Sequence, residues 1–594
     1  MNFRYFIILV YTSSLYCINY EVKSHSGIVL GIESNKVISW EDIPYAQAPV
    51  DNLRWKAPRE LNESVKNNLI IPKDDNFCVQ EPSGLGGSEG DNYFSGTEDC
   101  LYLDIKAPIT KKNELFPVMF WIHGGGNTSG LKDIYDFSTM VKKHNVVVVT
   151  INYRLGPFGW FTHPSIQDFQ MGIDKASNFG TLDIIEALKW VQKNISFFGG
   201  DPENVTIFGE SAGGHNVYSL LVSKEAKGLF HKAISQSGYT TSYSLKEAYK
   251  PLNDSSTSKH SSWNIVQKII SEMSPLVTQL EDNKEEVRHI LKNLPAEDFF
   301  KYYANRTSYE NLPLLTADGV VIPKIGLRSA LSEKEHLNIV PTIAGSNRDE
   351  VKLWLASAKY FIELDYSFIG SVLGVPKVKV KDKKAFNLFN TYRSKAWKIR
   401  GVDLPLRSLS DAGNKELYAY RFDWDDHRRL IIADFKELIG AAHATEIPLL
   451  TGNNKLVGDY GFLIYPRGPS KKFTSKNMML FWTNFAKNGF PGTSSNGVKW
   501  LKYNESKSSQ SDFMVLDKRS NLQMQSDNFS FSSLVKDLYD EGDLTAIQKC
   551  VVLFQMLTYV GEDLYDKHAH KYPGKCSRKE SEQFIVENSD FIDY

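Results

Sequence analysis

The sequence predicts an α/β protein in which a large, mainly parallel central sheet is covered by helices on both faces. Short apolar strand candidates alternate with amphipathic helices along most of the 594 residues, and strands that are separated by helices pair in parallel. A Gly-x-Ser-x-Gly sequence at residues 209–213 follows one of these strands. Because such sheets place their functional sites at the carboxyl ends of the strands, a site is expected there.

Charge and composition disfavour two classes of function. The chain has 69 Lys and Arg against 70 Asp and Glu, a formal net charge of −1, and mixes both signs along its length. Nucleic-acid binding and electrostatic attachment to a membrane both need a basic patch, so neither is expected. No internal repeat or linker divides the chain. We therefore expect residues 20–594 to form one domain, of which 531–594 are a helical segment and a charged tail.

The N-terminal segment has the order of features of a secretory signal peptide. Arg4 precedes the apolar run from Tyr5 to Tyr11, and small and polar residues follow as far as Cys17. The run is too short to span a bilayer. We expect residues 1–19 to be removed and the protein to be secreted, with a buried N-terminal strand as the alternative. No other apolar stretch reaches about 18 residues, so no transmembrane anchor is expected.

Cysteine use agrees with export. Once Cys17 has left with the signal, four cysteines remain, and these allow three pairings. The pairing that is local in sequence joins Cys78 to Cys100 and Cys550 to Cys576. Glycosylation is also expected, at some of the eight Asn-x-Ser/Thr triplets that begin at Asn62, Asn127, Asn194, Asn204, Asn253, Asn305, Asn504 and Asn528.

The central sheet is predicted from six apolar segments. A helix at 181–195 lies between the second and third of them, and a further helix is predicted at 544–564. Residues 263–311 and 351–400 are rich in helix formers and predict helical additions, whereas 492–512 predict a surface loop. The six strand predictions are 117–122, 146–153, 205–208, 232–236, 340–345 and 417–424.

The sequence Gly-Glu-Ser-Ala-Gly at 209–213 has the pattern of a nucleophile elbow. Gly209 and Gly213 permit a turn that is too tight for side chains, and the strained turn lifts the Ser211 hydroxyl clear of the sheet. Residues 212–223 suit a helix, whose first N–H groups can stabilise negative charge beside Ser211. For an isolated copy of the motif, an ordinary tight turn is the alternative.

A serine hydroxyl is a poor nucleophile at neutral pH, so the elbow needs a base and a group that orients the base. The expected order along the chain is serine, acid, histidine. His443 lies in a small-residue loop, unlike most of the histidines after Ser211, which lie among charged residues. Glu350, after the strand at 340–345, is the candidate acid, and Asp349 beside it is the rival.

The run Gly124-Gly125-Gly126 follows the predicted strand at 117–122. Consecutive glycines leave their backbone N–H groups unobstructed. We expect the N–H groups of Gly125, Gly126 and Ala212 to form an oxyanion hole. The alternative for a glycine run alone is a flexible turn. A site of this kind requires no metal ion and no organic cofactor.

These segments together resemble the type-B carboxylesterases, the family of carboxylesterases, cholinesterases and related lipases. The resemblance implies an α/β-hydrolase fold and a catalytic triad of Ser211, Glu350 and His443, with Glu350 chosen over Asp349. The matches run in order from about residue 25 to about 530, at Glu-Asp-Cys-Leu-Tyr-Leu-Asp-Ile (98–105), Asn-Tyr-Arg-Leu-Gly-Pro-Phe-Gly-Trp (152–160), Phe-Gly-Gly-Asp-Pro (198–202), Phe-Gly-Glu-Ser-Ala-Gly (208–213) and Gly-Ala-Ala-His (440–443).

The resemblance also implies roles for residues around the triad. Glu210 and Glu446 are expected to lie close to it and to tune its electrostatics. The family's internal ion pairs are expected between Arg154 and Asp183 and between Arg54 and Glu98.

The loop between Cys78 and Cys100 matches the first disulfide loop of the family, whereas its later disulfides have no counterpart here. Cholinesterases hold a quaternary ammonium group on a tryptophan in that loop. Here Gly90 or Asp91 stands at that position. Tyr93 and Phe94 are the nearest aromatic residues, but their positions are offset and their rings bind cations less well than tryptophan does. No preference for choline esters is therefore expected.

The sequence thus predicts a secreted serine hydrolase that cleaves small-molecule carboxylic esters through an acyl-enzyme. A lipase that acts on long-chain lipid esters is the alternative among enzymes. A catalytically inactive adhesion protein is the alternative from another class, because this family includes members that have lost the triad. The intact triad and oxyanion positions disfavour that alternative.

Overall fold

The structure is a computed structural model that describes residues 20–73, 76–83, 88, 93–109, 114–249, 261–276, 279–304, 315–366, 376–458, 461–503, 511–558, 563–572 and 576–588. The expected signal peptide at 1–19 lies outside these ranges. Gly90 and Asp91 also lie outside them.

Within the described ranges, twelve strands form one sheet in the order β1-β2-β3-β4-β6-β5-β7-β8-β11-β14-β15-β16. The remaining strands form two small sheets, β9 with β10 and β12 with β13. The strands are β1 (Tyr20–Ser24), β2 (Gly27–Ser34), β3 (Val37–Pro44), β4 (Tyr102–Pro108), β5 (Phe116–Ile122), β6 (Val147–Ile151), β7 (Gly200–Glu210), β8 (Lys232–Gln236), β9 (Tyr243–Ser244), β10 (Thr316–Ala317), β11 (Thr342–Asn347), β12 (Ile362–Asp365), β13 (Lys377–Val380), β14 (Leu417–Phe422), β15 (Ser511–Leu516) and β16 (Gln523–Asp527).

The centre of the sheet is parallel and its edges are antiparallel. Every neighbouring pair from β6 through β15 runs parallel. The first four strands and β16 pair antiparallel with their neighbours. The predicted α/β fold with a large central sheet is therefore confirmed, and the antiparallel edges are additional to the prediction.

The helices lie on both faces of the sheet and in the C-terminal segment. They are α1 (Ser138–His144), α2 (Gly156–Gly159), α3 (Pro164–Gln167), α4 (Phe179–Asn194), α5 (Ala212–Val222), α6 (Leu245–Tyr249), α7 (Trp263–Met273), α8 (Lys284–Asn293), α9 (Ala296–Phe300), α10 (Leu327–Ala330), α11 (Lys352–Leu355), α12 (Lys383–Lys398), α13 (Leu404–Asp411), α14 (Phe435–Leu438), α15 (Ile447–Thr451), α16 (Gly461–Ile464), α17 (Pro469–Asn488), α18 (Phe531–Asp540), α19 (Ala546–Thr558), α20 (Tyr565–His568) and α21 (Arg578–Glu587).

The sheet separates two apolar cores. Alternate residues of β5 face opposite sides, as the two-residue period of a strand requires. Val118 and Phe120 join the cluster that contains α4, and Met119 and Trp121 join the cluster that contains α17. A third cluster packs α12 against α18 and α19 of the C-terminal segment.

The segment 351–400, which was predicted to be helical throughout, contains an antiparallel pair of strands, β12 and β13. The prediction was wrong there because residues 377–380 read Lys-Val-Lys-Val, and such alternation favours a strand over a helix. The surface loop predicted at 492–512 ends earlier than expected, since β15 begins at Ser511.

A π-helical turn, Ile399–Asp403, connects α12 to α13. It packs against the loop that follows β8, where a side chain on Gly401 would overlap Gly238 O. The Tyr218 hydroxyl donates a hydrogen bond to Gly401 O at 2.6 Å. Lys398 Nζ spans the turn to both carboxylate oxygens of Asp403, at 2.9 and 3.0 Å.

The described residues contain two disulfide bonds, one in the N-terminal part of the chain and one in the C-terminal segment. Cys78 is bonded to Cys100, and Cys550 is bonded to Cys576. The second bond joins α19 to the residues that precede α21. Of the three pairings that the sequence left open, the structure therefore has the local one.

The two expected ion pairs are present. Arg54 Nε donates to Glu98 Oε1 at 2.7 Å. Arg154 binds Asp183 through Nε at 2.8 Å and through Nη2 at 2.7 Å. Asp183 is completely buried and Arg154 is 3% exposed. Both charges are therefore removed from water, and each is stabilised by its contact with the other.

We expect Arg154→Met to lower the free energy of unfolding by about 3–5 kcal/mol, because it leaves the buried Asp183 carboxylate without its charged partner. Urea unfolding followed by tryptophan fluorescence measures the loss. The matched control is Arg59→Met, which breaks a more exposed pair with Asp174 and should cost less than about 1 kcal/mol. Equal losses in the two variants would contradict this account.

Candidate active site

Ser211 occupies the turn between β7 and α5, at the carboxyl end of the central sheet. Its backbone has φ 59° and ψ −121°, a left-handed conformation that costs a residue with a side chain about 1–3 kcal/mol. The side chain of Ser211 is half-buried. The chain thus makes a strained strand–turn–helix connection centred on a serine.

Glycine is needed on both sides of this turn. A Cβ atom on Gly209 would lie 2.6 Å from Ile122 O and 2.7 Å from the carbonyl carbon of Gly213. A Cβ atom on Gly213 would overlap Ile122 O as well. The end of β5 therefore packs directly on the backbone of the turn.

Three neighbouring strands end in polar residues at this edge. β7 ends at Glu210, β8 at Gln236 and β11 at Asn347, and Glu210 is paired in register with Gln236. Because parallel strands bring their carboxyl ends to one edge, the sheet itself assembles these polar groups beside Ser211.

The loop after β11 brings Glu350 to His443. His443 Nδ1 lies 2.7 Å from Glu350 Oε2, and Glu350 Oε1 accepts a hydrogen bond from the Asn347 N–H at 2.7 Å. The His443 N–H donates to the Glu350 carbonyl oxygen at 3.1 Å. A carboxylate in this position keeps a proton on Nδ1 and leaves Nε2 able to accept one.

Asp349, the rival acid, faces away from the imidazole and stabilises the histidine loop. Its Oδ2 accepts from the Ala441 N–H at 3.0 Å and from Arg348 Nη2 at 2.6 Å. Its Oδ1 accepts from Asn390 Nδ2 at 2.7 Å. Burial raises the pKa of Asp349, but Arg348 and the Lys352 ammonium outweigh it and hold the pKa below its ordinary value.

Glu446 is fully buried behind His443, and two amide groups bind its carboxylate. Asn347 Nδ2 donates to Oε2 at 2.7 Å and Gln236 Nε2 donates to Oε1 at 3.1 Å. Trp482 Nε1 donates to Gln236 Oε1 at 2.9 Å. Because an indole N–H can only donate, it turns the nitrogen of the Gln236 amide toward Glu446.

Glu210 approaches His443 from the other side, with Oε1 3.1 Å from His443 Nε2. Burial raises the pKa of Glu210 to about 8, although the facing imidazole acts in the opposite direction. Burial lowers the pKa of His443, but the carboxylates of Glu210 and Glu350 outweigh it and raise the pKa to about 9. The Glu210 carboxylate therefore favours the protonated form of His443 through its charge.

Two tryptophan rings pack against His443. The Trp397 ring lies 4.9 Å from the imidazole and the Trp354 ring lies 5.2 Å from it, centre to centre. Trp397 Nε1 donates to Ser237 O at 3.2 Å, so the end of α12 is tied to the loop after β8. The rings shield the imidazole from water, and His443 is only 5% exposed.

The glycine run that follows β5 lies against the elbow. A Cβ atom on Gly124 would be 3.1 Å from the Ser211 Cβ atom. Gly125 and Gly126 have φ values of +97° and +62°, and a side chain on Gly125 would overlap Ser129 O. The backbone here reaches a position beside Ser211 that only glycine allows.

The carbonyl groups of this run are held by hydrogen bonds. His123 Nδ1 lies 2.8 Å from Gly124 O. Gly125 O accepts from the N–H groups of Thr128 and Ser129 at 2.9 and 3.0 Å, and from their hydroxyl groups at 3.1 and 3.3 Å. In a trans peptide the N–H points opposite to the preceding carbonyl. The bonds therefore also fix the directions of the next two N–H groups, those of Gly125 and Gly126.

Several donors at the site are unused. Within the described part of the chain, the N–H groups of Gly125, Gly126 and Ala212 donate to no protein acceptor. The Ser211 hydroxyl likewise makes no hydrogen bond to a described group, and His443 Nε2 has none with acceptable geometry.

Other sequence features lie outside the cluster. Phe94 packs edge-to-face on Phe300, with ring centres 6.0 Å apart, and Tyr93 also packs on the core. In the described ranges no group of three or more His, Cys, Asp or Glu side chains could hold a metal ion. None of the described helices is long and apolar enough to cross a bilayer.

Comparison with known protein families matches the carboxylesterase family over residues 19–373 and 382–531. The chain belongs to this family. It is 32% identical to the para-nitrobenzyl esterase of Bacillus subtilis (strain 168) over 497 residues, which cover 82% of this chain and 92% of that protein. It is 33% identical to carboxylesterase 1E of Rattus norvegicus over 485 residues, which cover 76% and 81% of the two chains.

The same family has solved structures that resemble this one. The carboxylesterase EST55 of Geobacillus stearothermophilus superimposes with a TM-score of 0.64 at 26% identity, covering 86% of this chain and 98% of that one. The α/β-hydrolase fold and the activity of a carboxylic ester hydrolase follow from these matches.

Sequence reasoning missed the groups that support the site. Trp354 and Trp397 lie in the helical additions, where aromatic residues at helical spacing are read as core. Gln236 and Asn347 could have been found, since each is the last residue of a predicted or observed strand that ends at the site. Polar residues at the carboxyl ends of parallel strands are the available signal.

We expect Glu210→Gln to move the acid limb of the kcat/KM profile to lower pH by roughly one unit or more. The Glu210 carboxylate raises the pKa of His443, so its removal lowers that pKa and extends the neutral base form to more acidic conditions. Initial rates with p-nitrophenyl acetate between pH 4 and 10 measure the limb. Glu186→Gln, a buried carboxylate on α4, is the control and should leave the limb in place. An unmoved limb in Glu210→Gln, or one moved to higher pH, would contradict this assignment.

Proposed function

We propose that this carboxylesterase cleaves small carboxylic esters with Ser211 as nucleophile, His443 as base and Glu350 as the group that orients the base. The observation that carries this proposal is the 2.7 Å contact between His443 Nδ1 and Glu350 Oε2, beside a serine in a strained left-handed turn. The three residues follow the chain order expected for this fold.

In the first half-reaction, His443 Nε2 takes the Ser211 proton as Oγ attacks the ester carbonyl carbon. The carbonyl oxygen becomes an oxyanion, and we assign its stabilisation to the N–H groups of Gly125, Gly126 and Ala212. The imidazolium then gives its proton to the leaving alkoxide, and an acyl-enzyme forms. Water, activated by the same imidazole, releases the acid in the second half-reaction.

The electrostatics of the cluster support these roles. Glu350 accepts hydrogen bonds on both oxygens, from His443 Nδ1 and from the Asn347 N–H, so it is oriented to stabilise the imidazolium. Glu210 Oε1 lies 3.1 Å from His443 Nε2, the nitrogen that we assign as the base. Its carboxylate raises the pKa of His443, so the neutral base forms at a higher pH than it would without Glu210.

The names of two relatives bear on the length of the acyl chain that the enzyme accepts. The small-ester proposal is consistent with the name of the Bacillus subtilis relative, a para-nitrobenzyl esterase. A relative from Anas platyrhynchos, 32% identical over 516 residues that cover 78% of this chain and 82% of that protein, is named a medium-chain fatty acyl-CoA hydrolase precursor. It supports medium-chain acyl groups as the second candidate.

We also propose that the protein is exported. The two disulfide bonds support this proposal, because such bonds persist in oxidising compartments. The order of residues in 1–19 supports removal of a signal peptide.

Replacement of the triad residues tests the mechanism. We expect Ser211→Ala to reduce kcat by at least about a thousandfold and Glu350→Gln by about a hundredfold or more, because the members act as a unit. Asp349→Asn should cost less than about tenfold, since its carboxylate binds backbone and Arg348 rather than the imidazole. A series of p-nitrophenyl esters from acetyl to palmitoyl measures both rate and chain-length preference. A larger loss in Asp349→Asn than in Glu350→Gln would reverse the assignment of the acid.

The hydroxyl groups of Thr128 and Ser129, which donate to the Gly125 carbonyl oxygen, provide a finer test. We expect the double variant Thr128→Val/Ser129→Ala to lower kcat roughly three- to tenfold with little change in KM, because it loosens the Gly125 carbonyl and misaligns the Gly126 N–H. Affinity for a trifluoromethyl ketone, whose adduct carries an oxyanion, should fall by the same factor. Ser129→Thr keeps both the hydroxyl and the sequon and should retain activity. A change in KM alone would contradict the role.

Export predicts a new N-terminus. We expect protein recovered from the medium of a eukaryotic expression host to begin near residue 20, because the signal peptide has been cleaved. Edman sequencing or intact mass after deglycosylation measures the terminus. Retention inside the cells with residues 1–19 still attached would contradict the proposal.

A further inference from the structure

A cavity of about 380 Å³ lies between the π-helical turn and the C-terminal segment. None of its lining residues belongs to the active site described above. Its walls combine positive charge with apolar surface. The basic lining residues are Arg328, Arg407, Lys567 and His568, and the apolar ones are Ile399, Leu404, Phe529 and Phe531.

Positive charge in this cavity is not balanced by described carboxylates. Among the lining residues that the structure describes, the one acid is Asp403, and both of its oxygens are bound by Lys398. Within the described ranges, neither Arg407 nor Lys567 forms an ion pair, and both are exposed. Two exposed cations therefore line the cavity without a direct ion pair, although Arg407 lies close enough to Asp403 to lower the pKa of that carboxyl.

The surroundings of His568 reflect the same imbalance. Burial lowers the pKa of His568, and the nearby cations Lys571, Lys567, His570 and Arg400 lower it further. Burial alone would lower the pKa of His568, and the cationic neighbours add a positive potential to that effect. The cavity is thus an electropositive site in a chain whose net charge is close to zero.

Helix α18 adds a further attraction for anions. Its ten residues begin at Phe531, and Ser530, Phe531 and Ser532 all line the cavity. Lys571 Nζ donates to Ser532 Oγ at 3.0 Å, which places another ammonium group at the start of the helix. The first N–H groups of a helix carry partial positive charge, and in α18 the one of Ser533 is already bound by the Ser530 hydroxyl.

We propose that this cavity binds an amphiphilic organic anion, a molecule with one anionic head group and a short apolar chain. The head group would lie among Arg407, Lys567 and the start of α18, and the chain would lie on Phe529 and Leu404. A cavity of this volume accommodates on the order of ten non-hydrogen atoms. Medium-chain carboxylates such as octanoate have this size, and the acids that ester hydrolysis releases belong to the same chemical class.

Calorimetric titration of sodium octanoate into the full-length protein tests the proposal. The protein is first treated with a glycosidase, because Asn528 at the cavity wall begins a sequon. We expect Arg407→Gln/Lys567→Gln to weaken the affinity for octanoate by about tenfold or more, since both unpaired cations are lost. We expect 150 mM salt to weaken binding to the unsubstituted protein, through screening. Hydrolysis of p-nitrophenyl acetate should be unchanged in the variant, which shows that it is folded.

Two comparisons separate the proposal from its competitors. The control Lys36→Gln/Lys224→Gln removes the same charge from exposed positions elsewhere and should bind octanoate as the original protein does. Inorganic phosphate and 1-octanol should each bind at least about tenfold more weakly than octanoate, because each lacks half of the interaction. Unaltered affinity in Arg407→Gln/Lys567→Gln would show that octanoate binds elsewhere and would overturn the proposal. If inorganic phosphate bound as tightly as octanoate, the apolar chain would contribute nothing and the ligand would not need to be amphiphilic. If 1-octanol bound as tightly, the ligand would not need to be an anion.

Discussion

The burial of three carboxylates around one imidazole is the constraint that the rest of the site satisfies. Glu210, Glu350 and Glu446 are each at most 4% exposed, and an ionised carboxylate away from water is stable only with hydrogen-bond donors around it. The donors to Glu446 come from the ends of neighbouring strands, Gln236 on β8 and Asn347 on β11, and the Asn347 N–H also donates to Glu350. The register of the parallel sheet therefore sets the electrostatics of the chemistry, because a shift of one residue would turn these amides to the opposite face.

The same sheet edge supports the strained serine. The turn at Ser211 is maintained by backbone packing, since the end of β5 touches both glycines of the elbow. The glycine run that continues from β5 then lies beside Ser211, with its carbonyl groups bound on the far side. One strand thus supports the nucleophile and also supplies the N–H groups that we assign to the oxyanion, so a rigid scaffold keeps both in fixed relation.

Much of this arrangement could be predicted from the sequence, and the failures have physical reasons. The central strands are short and mostly apolar, and all six predicted ones form within a few residues of their predicted bounds. The edge strands β1 to β3 mix exposed and buried residues, so their apolar signal is weak. The hairpin between β2 and β3 turns at Asn35 and Lys36, both with positive φ, and Lys is a poor signal for such a turn. Trp354 and Trp397 reach the site only through tertiary packing, which periodicity does not report.

The π-helical turn Ile399–Asp403 is in effect one extra residue in an otherwise continuous helix. One residue rotates everything beyond it by about 100° about the helix axis. The insertion therefore lets Trp397, before the turn, face His443 while Leu406 and Leu409, after it, join a different core. A chain without this residue could keep either the contact of Trp397 with His443 or the packing of Leu406 and Leu409, but not both. The length of this turn therefore constrains the active site and the core together.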